Sequence, residues 1–216
     1  MTIEISAFAW VPPFAQGYVK DIRPRWALAE AGLDYAVRPV AGEEADEPAY
    51  RAWQPFGQVP AYRDEAVELF ESGAIVLRIA SLSPALAPPD ERDAARTQAW
   101  VFAALNSVEP RVDNLILPAL FHGEEAWVAG WRPHAERLVD LRLRSLSAWL
   151  SERDWLTGRF GVADIVMATV LRGLQDEPVL ARHPAVSRYL ERCLARPAFQ
   201  QALAAQMRTF AEHEPA

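Results

Sequence analysis

Residues 83–89 divide this chain of 216 residues into two parts, because the short segment contains three prolines. Proline lacks an amide hydrogen and disrupts the interior of a helix, so irregular backbone is expected here. Before the segment, short runs of alternating apolar and polar residues are interleaved with helical runs; after it, nearly every run has helical periodicity. The sequence therefore predicts two domains, at 1–82 and 90–216, joined by a linker at 83–89.

The elements predicted for the first domain are those of the α/β class. Strands are expected at 3–8 and 35–40, an antiparallel hairpin at 58–62 and 66–70, and helices at 22–31 and 72–80. Gly32 is expected to end the first helix. The second domain is predicted to be all-α, with helices at 90–108, 134–150, 162–174, 185–195 and 197–212. The apolar run at 162–174 predicts a helix that is buried on all sides.

Charge and composition argue against several classes of function. The formal net charge of −7 disfavours nucleic acid and anionic membranes as partners, because both attract basic surfaces. No run approaches the roughly 20 apolar residues of a membrane helix, and the N-terminus lacks the basic region of a secretory signal. Cys193 is the only cysteine, which excludes an internal disulfide and a CxxC site. We therefore expect a cytoplasmic protein.

Neither a metal nor a nucleotide cofactor is expected. The four histidines have no metal-ligand spacing, and the sequence contains no glycine-rich phosphate loop.

Four segments carry a resemblance to a known family. They are G-Q-V-P-A-Y at 57–62, L-F-E-S-G-A-I at 69–75, W-A-L-A-E-A-G-L-D-Y at 26–35 and R-F-G-V-A-D-I at 159–165. In this order they resemble the glutathione transferase superfamily, including its bacterial members. The resemblance implies a thioredoxin-like domain that binds glutathione, followed by an all-α helical bundle.

The resemblance assigns glutathione binding to Gln58, Val59, Pro60, Glu71 and Ser72. A cis peptide bond before Pro60 is expected to leave the Val59 backbone open to an extended peptide. Ser72 is predicted as the N-cap of a helix, where it would hold the γ-glutamyl carboxylate while Glu71 faces the ammonium group. The alternatives are a rigid turn before an edge strand and a simple capping serine.

The family activates the glutathione thiol with a Tyr, Ser or Cys beside the start of the first helix. Residues 9–21 contain no Ser, Thr or Cys, which departs from the common pattern. Pro24 places the start of the helix near 20–21, so Tyr18 lies just before it and is the candidate catalytic residue. Lys20 would add positive potential. Trp10 and Gln16 are lesser candidates, and Tyr18 as a packing or rim residue is the alternative.

Three residues are candidates for the substrate pocket, and one has a predicted folding role. The resemblance places a pocket for a hydrophobic electrophile against the first long helix of the second domain, where we select Trp100, Asn106 and Ser107; packing is the alternative for that face. Asp164 lies three residues after Gly161, at the start of a buried helix, and is predicted to cap it.

The resulting hypothesis is a glutathione transferase acting in detoxification. Glutathione would be its co-substrate in conjugation, substitution or peroxide reduction, and the resemblance implies a homodimer. Two alternatives stay open: a non-catalytic binding or interaction module, and a glutathione-dependent isomerase or dehalogenase.

Overall fold

The computed structural model describes residues 2–215, which form two compact units. The first unit comprises Met1–Pro88 together with Arg196–Ala216, and the second comprises Pro89–Ala195. The C-terminal segment thus belongs to the same unit as the N-terminal part of the chain. The domain boundaries at 82 and 90 stay a prediction.

The first unit is built around a four-stranded sheet in the order β2-β1-β3-β4. Its strands are β1 (Glu4–Phe8), β2 (Ala36–Val40), β3 (Ala61–Arg63) and β4 (Glu68–Phe70). β1 pairs with β2 in parallel, Glu4 opposite Ala36, and with β3 in antiparallel fashion, Ile5 opposite Tyr62. The observed hairpin begins at Ala61, so residues 58–60 lie outside the sheet.

Three helices accompany this sheet: α1 (Ile22–Ala31), α2 (Pro48–Arg51) and α3 (Ser72–Ser81). α1 tolerates Pro24 because the proline falls in its first turn, where the amide has no helical partner. It ends at Gly32, whose φ of 65° is left-handed backbone that favours glycine. α1 packs against α3. This arrangement is the predicted thioredoxin-like one.

Asp64 anchors α3 to the β3–β4 hairpin. It accepts hydrogen bonds from the Arg78 Nε at 2.9 Å, the Tyr62 hydroxyl at 2.7 Å, and the Ala66 and Val67 amides. Burial by itself raises the pKa of this carboxyl, but these donors outweigh it and lower the pKa to about 2. The last turn of α3, which carries Arg78, is therefore tied to the hairpin.

The second unit is helical. It contains α4 (Glu91–Phe102), α5 (Glu109–His122), α6 (Ala126–Leu150), α7 (Val162–Leu171), α8 (Pro178–Ala181) and α9 (Pro184–Leu194), with a π-helical stretch at Ala103–Val108. α7 is buried along almost its whole length, as its apolar sequence predicts. The sequence did not predict α5 or the first turns of α6.

α10 (Pro197–Glu212) returns to the first unit and covers α1. The Phe199 ring lies 4.8 Å from the Trp26 ring, measured between centroids, and Arg196 forms a two-pronged ion pair with Glu30 at 2.6 and 2.7 Å. Cys193 is buried, as expected for a small apolar side chain. Across residues 2–215, no helix combines the length and apolar character that crossing a bilayer needs.

Candidate functional site

The segment before β3 presents backbone groups that the sheet does not use. The Val59–Pro60 peptide bond is cis, as expected from the sequence. The Val59 side chain is buried in a cluster with Val40, Tyr50 and Trp53. Within the described part of the chain, neither the amide nor the carbonyl of Val59 forms a hydrogen bond. Because the buried side chain fixes the residue, its unused amide and carbonyl form a preformed ledge.

Three linked hydrogen bonds hold the backbone on either side of this ledge, at Gln58 and at Ala61. The Tyr50 hydroxyl donates to the Gln58 carbonyl at 2.6 Å, and the Ala61 amide donates to Ser6 Oγ at 2.7 Å. The Tyr50 hydroxyl has a single hydrogen, which it donates to the Gln58 carbonyl. Ser6 Oγ, 2.7 Å away, therefore donates its own hydrogen to the Tyr50 oxygen. Burial raises the pKa of Tyr50, which keeps this phenol protonated and able to donate. The Gln58 carbonyl is thus used in an internal hydrogen bond, whereas the Gln58 side chain is exposed.

The start of α3 differs from the sequence prediction by one residue. Glu71, not Ser72, occupies the N-cap position, and Ser72 is the first helical residue. Glu71 has a φ of 69°, a left-handed value that is unusual for a residue with a side chain, and its carbonyl accepts from the Ile75 amide. The predicted capping role of Ser72 is therefore wrong, because the backbone of Glu71 makes the turn into the helix. The Glu71 side chain is exposed.

A buried arginine lies behind Ser72. Arg23, in the first turn of α1, is 2% exposed and donates from Nη1 to Ser72 Oγ at 3.0 Å. With its oxygen accepting from Arg23, the Ser72 hydroxyl directs its hydrogen elsewhere. The guanidinium also adds positive charge next to the N-terminus of α3, which attracts anions through its unpaired amides. These two features make the start of α3 a candidate carboxylate site.

The three candidates for thiol activation have different surroundings. Tyr18 is 45% exposed and lies in the turn before α1, where its amide donates to the Ala15 carbonyl at 3.0 Å. The Gln16 amide group donates within its own loop, to the Val11 carbonyl at 3.1 Å. The Trp10 indole nitrogen is buried and has no hydrogen-bond partner among residues 2–215. The role of these residues stays a prediction.

Val19 connects the candidate Tyr18 to the ledge. Its side chain packs against the buried cluster that contains Val59. Val19 therefore packs on the same buried cluster as Val59, and its neighbours in the chain are Tyr18 and Lys20.

The residues selected for the electrophile pocket lie in the second unit. The Trp100 ring packs on the Trp149 ring with centroids 5.2 Å apart, while Asn106 and Ser107 are exposed on the π-helical stretch. This stretch winds differently from an α-helix, so regular helical spacing from Trp100 does not continue through it to Ser107. Their part in a pocket stays a prediction.

Asp164 makes the contact with the start of α7 that the sequence predicts. Its carboxylate accepts from the Gly161 amide at 3.0 Å, the Leu156 amide at 3.0 Å and the Tyr189 hydroxyl at 2.9 Å. The side chain is fully buried, and burial raises the pKa of this carboxyl to about 6 despite these donors. The carboxyl holds together the start of α7, the preceding loop and α9.

Sequence analysis did not identify three residues that shape the site: Arg23, Tyr50 and Ser6. A signal was present for Arg23, because it lies three residues before the core residue Trp26 and thus on the same helix face. A charge at a core position predicts a buried role. Tyr50 and Ser6 had no comparable signal, because their contacts with residues 58–61 depend on tertiary folding. Among residues 2–215 no cluster of His, Cys, Asp and Glu could hold a metal ion.

The sheet with its ledge, followed by a helical unit, defines a glutathione transferase-type fold. The family described as "Glutathione S-transferase, N-terminal domain" matches residues 17–81, and "Glutathione S-transferase, C-terminal domain" matches 132–197. Glutathione S-transferase 3 of Zea mays is 32% identical over 202 residues, covering 85% of this chain and 88% of the relative. The chain therefore belongs to the glutathione S-transferase family.

Other relatives and solved structures agree. Maleylacetoacetate isomerase of Pseudomonas aeruginosa is 32% identical over 195 residues, covering 83% of this chain and 89% of the relative. The theta class glutathione S-transferase of Xanthomonas axonopodis pv. citri, solved with glutathione bound, superposes with a TM-score of 0.78 at 26% identity, covering 93% of this chain and 96% of that one. Glutathione transferase F2 of Populus trichocarpa gives a TM-score of 0.83 at 21% identity, covering 95% and 99%. The predicted family, fold class and glutathione transferase-like enzyme are confirmed.

Proposed function

We propose that the protein binds glutathione along the Val59 ledge and uses the thiolate to attack a small hydrophobic electrophile. The observation that carries this proposal is the Val59 backbone, held rigidly and left without an internal hydrogen bond. An extended tripeptide can pair with both groups by β-augmentation. The glutathione bound to the Xanthomonas relative supports the choice of ligand.

The γ-glutamyl end of the tripeptide carries two groups of opposite charge. The γ-glutamyl carboxylate binds at the start of α3, where the Ser72 hydroxyl donates to it and the buried Arg23 supplies positive potential. Glu71, exposed and adjacent, faces the ammonium group of the same residue. Gln58 contributes its exposed side chain beside Val59 and Pro60.

The reaction requires a thiolate near neutral pH. A free thiol has a pKa of about 8.5, so a bound thiol needs a donor that stabilises its ionised form. Tyr18 is the proposed donor, through its phenolic hydrogen, with Trp10 and Gln16 as the lesser candidates. The sulfur lone pair forms a bond to the electrophilic carbon while the leaving group departs with its bonding electrons, and the thiol proton goes to solvent. The pocket residues Trp100, Asn106 and Ser107 are proposed to contact the electrophile.

The thiol of bound glutathione provides the test. Its ionisation is followed as thiolate absorbance at about 240 nm, and we expect a pKa at least about one unit below the free value, or about tenfold more thiolate. Tyr18→Phe should abolish the shift, whereas Tyr35→Phe, a control outside the site, should retain it. A wild-type protein that binds glutathione without shifting its thiol would instead be a non-catalytic binding module.

A second function, cis–trans isomerisation, is supported by the similarity to maleylacetoacetate isomerase. In that reaction the thiolate adds to a conjugated double bond, rotation follows, and elimination returns the thiolate. Glutathione is therefore regenerated. Incubation with maleylacetoacetate and limiting glutathione distinguishes the two functions: many turnovers per glutathione indicate the isomerase, and stoichiometric loss of thiol indicates conjugation.

The proposal extends to the molecular context. We place the protein in the cytoplasm as a homodimer in which the glutathione-binding half of one subunit faces the helical half of the other. It requires no metal or nucleotide. Peroxide reduction and dehalogenation use the same thiolate and are additional reactions to assay.

A further inference from the structure

We infer that Gln206, in the C-terminal helix α10, is a positioning residue for thiol activation. The inference depends on the proposed function, because it concerns the turn that carries Tyr18. Gln206 is separated from that turn by almost the whole length of the chain, yet both lie in the first unit.

The Gln206 amide group is hydrogen-bonded to the turn at two points. Its Nε2 donates to the Val19 carbonyl at 3.1 Å and to Asp21 Oδ1 at 2.6 Å. Gln206 and Asp21 are both fully buried. One donor group therefore fixes a backbone carbonyl and a side chain at the two ends of a three-residue segment, just before α1 begins.

The contacts of Asp21 extend this network to α1 and back to α10. Asp21 Oδ2 accepts from the Arg25 Nε at 2.7 Å, and the Arg25 Nη2 donates to Thr209 Oγ1 at 3.1 Å. Thr209 lies three residues after Gln206, on the same face of α10. The entry into α1 is thus contacted directly by Gln206 and indirectly, through Arg25, by Thr209, about one turn further along α10.

Packing alone does not account for a glutamine at this position. The Phe199–Trp26 contact already provides an apolar interface between α10 and α1. The Gln206 Oε1 is buried and has no hydrogen-bond partner among residues 2–215, and an unsatisfied buried carbonyl costs free energy. What the side chain supplies is its donor, and that donor is directed at the turn.

Val19 links the turn before α1 to the ledge. Val19 has its carbonyl held by Gln206 while its side chain packs against the cluster containing Val59. The residue is fixed on both sides, so the backbone that carries Tyr18 and Lys20 is fixed with it. Removing the Gln206 donor leaves the Val19 carbonyl with the Ile22 amide, at 3.1 Å, and takes one donor from the Asp21 carboxylate. The backbone that carries Tyr18 is then held less tightly, and with it the phenol that is proposed to donate to the sulfur.

Gln206→Met, similar in shape but without the donor, tests this role. We expect the pKa of bound glutathione's thiol to rise by about one unit, so that kcat for 1-chloro-2,4-dinitrobenzene at slightly acidic pH falls about tenfold. The Kd for glutathione should change by less than about twofold, because the ledge is intact. Thr209→Val is the matched control: it removes a buried polar contact from the same helix face, but its link to the turn is indirect, through Arg25 and Asp21, so its effect on the thiol pKa should be much smaller.

A second variant covers the case in which Gln206→Met does not fold. Gln206→Ala removes the same donor but leaves space in which water can hydrogen-bond to the Asp21 carboxylate, and the pKa of bound glutathione's thiol should again rise by about one unit. In a Tyr18→Phe background, either substitution should have little further effect on the thiol pKa.

The outcomes separate the two proposals. A wild-type protein that leaves the thiol pKa at its free value overturns the proposed function and this inference together. A shifted thiol in the wild type that remains shifted in the Gln206 variants overturns the inference alone. Equal effects of Gln206→Met and Thr209→Val also overturn it, because they would indicate general stability of the α1–α10 contact.

Discussion

At the scale of single residues, the first turn of α1 contains two arginines with different tasks. Both are almost completely buried, although only Pro24 separates them. Arg25 pairs with Asp21, and this pair stabilises the entry into the helix. Arg23 donates to Ser72 in α3, which the proposed function places in contact with the ligand. Arg23 thus places a positive charge beside the position that the proposed function assigns to the γ-glutamyl carboxylate.

Ser72→Ala should weaken glutathione binding. The substitution removes one hydrogen bond to a carboxylate, worth about 1.5–3 kcal/mol, which corresponds to a rise in Kd of about ten- to a hundredfold. Isothermal titration calorimetry of glutathione measures this directly. Ser81→Ala is the control, because Ser81 lies at the other end of α3, exposed, and its hydroxyl bonds only locally to the Arg78 carbonyl. Equal Kd values for the wild type and Ser72→Ala would remove Ser72 from the site.

At the scale of elements, prolines explain the main difference between sequence and structure. α5 and the first turns of α6 contain Pro118 and Pro133 inside helices, and proline is expected to end a helix. The two helices pack against each other, so tertiary contacts offset the cost of the missing hydrogen bonds. α1 and α10 were predicted correctly because their prolines fall in the first turn, where proline is tolerated.

The candidate site was predictable to the extent that its chemistry is local. Val59, Pro60, Glu71 and Ser72 belong to short motifs whose backbone conformation is encoded nearby. Arg23, Ser6 and Gln206 act on segments far from them in sequence, and a single sequence does not indicate which segments fold together. The one-residue error at Ser72 has a different origin: serine is a frequent N-cap, but the left-handed backbone of Glu71 makes the turn instead.

The start of α7 should give the protein a measurable pH dependence of stability. Burial raises the pKa of Asp164 from 3.8 in the unfolded chain to about 6 in the fold. The folded state therefore binds the proton first, and the contribution of Asp164 to stability increases as the pH falls from about 6 to about 4. Asp164→Asn cannot titrate. The free energy of unfolding of the wild type relative to this variant should rise on acidification, by on the order of 3 kcal/mol.

Urea denaturation across this pH range provides the measurement, with Asp176→Asn, exposed in the same unit, as the control. Near neutral pH, Asp164→Asn should itself be destabilised. The side-chain NH2 group of asparagine takes the place of the oxygen that accepts from the Gly161 backbone N–H, and two donors cannot form a hydrogen bond with each other. A difference between wild type and Asp164→Asn that stays constant with pH would contradict the raised pKa.

At the scale of the whole molecule, the chain leaves its first unit at Pro88 and re-enters it at Arg196. α10 supplies the contacts that cover Trp26 and hold the turn before α1. The packing of the first unit therefore depends on the last helix, although Val59, Pro60 and Ser72 all lie in the first part of the sequence. Binding motifs and folding units have different boundaries in this protein.

The proposed homodimer leads to a prediction about mass and about one aromatic pair. Phe56 is 62% exposed and packs edge-on against Phe70, itself 37% exposed, with ring centroids 6.0 Å apart. Exposed aromatic side chains on this scale are typical of the centre of an interface. Sedimentation equilibrium should give twice the mass of the 24.1 kDa chain, and Phe56→Ser should raise the dimer dissociation constant at least about tenfold.

Leu141→Ser removes a comparably exposed apolar side chain from α6 and serves as the control. A monomeric wild type at micromolar concentration would overturn the dimer, and an unchanged constant in Phe56→Ser would place its interface elsewhere.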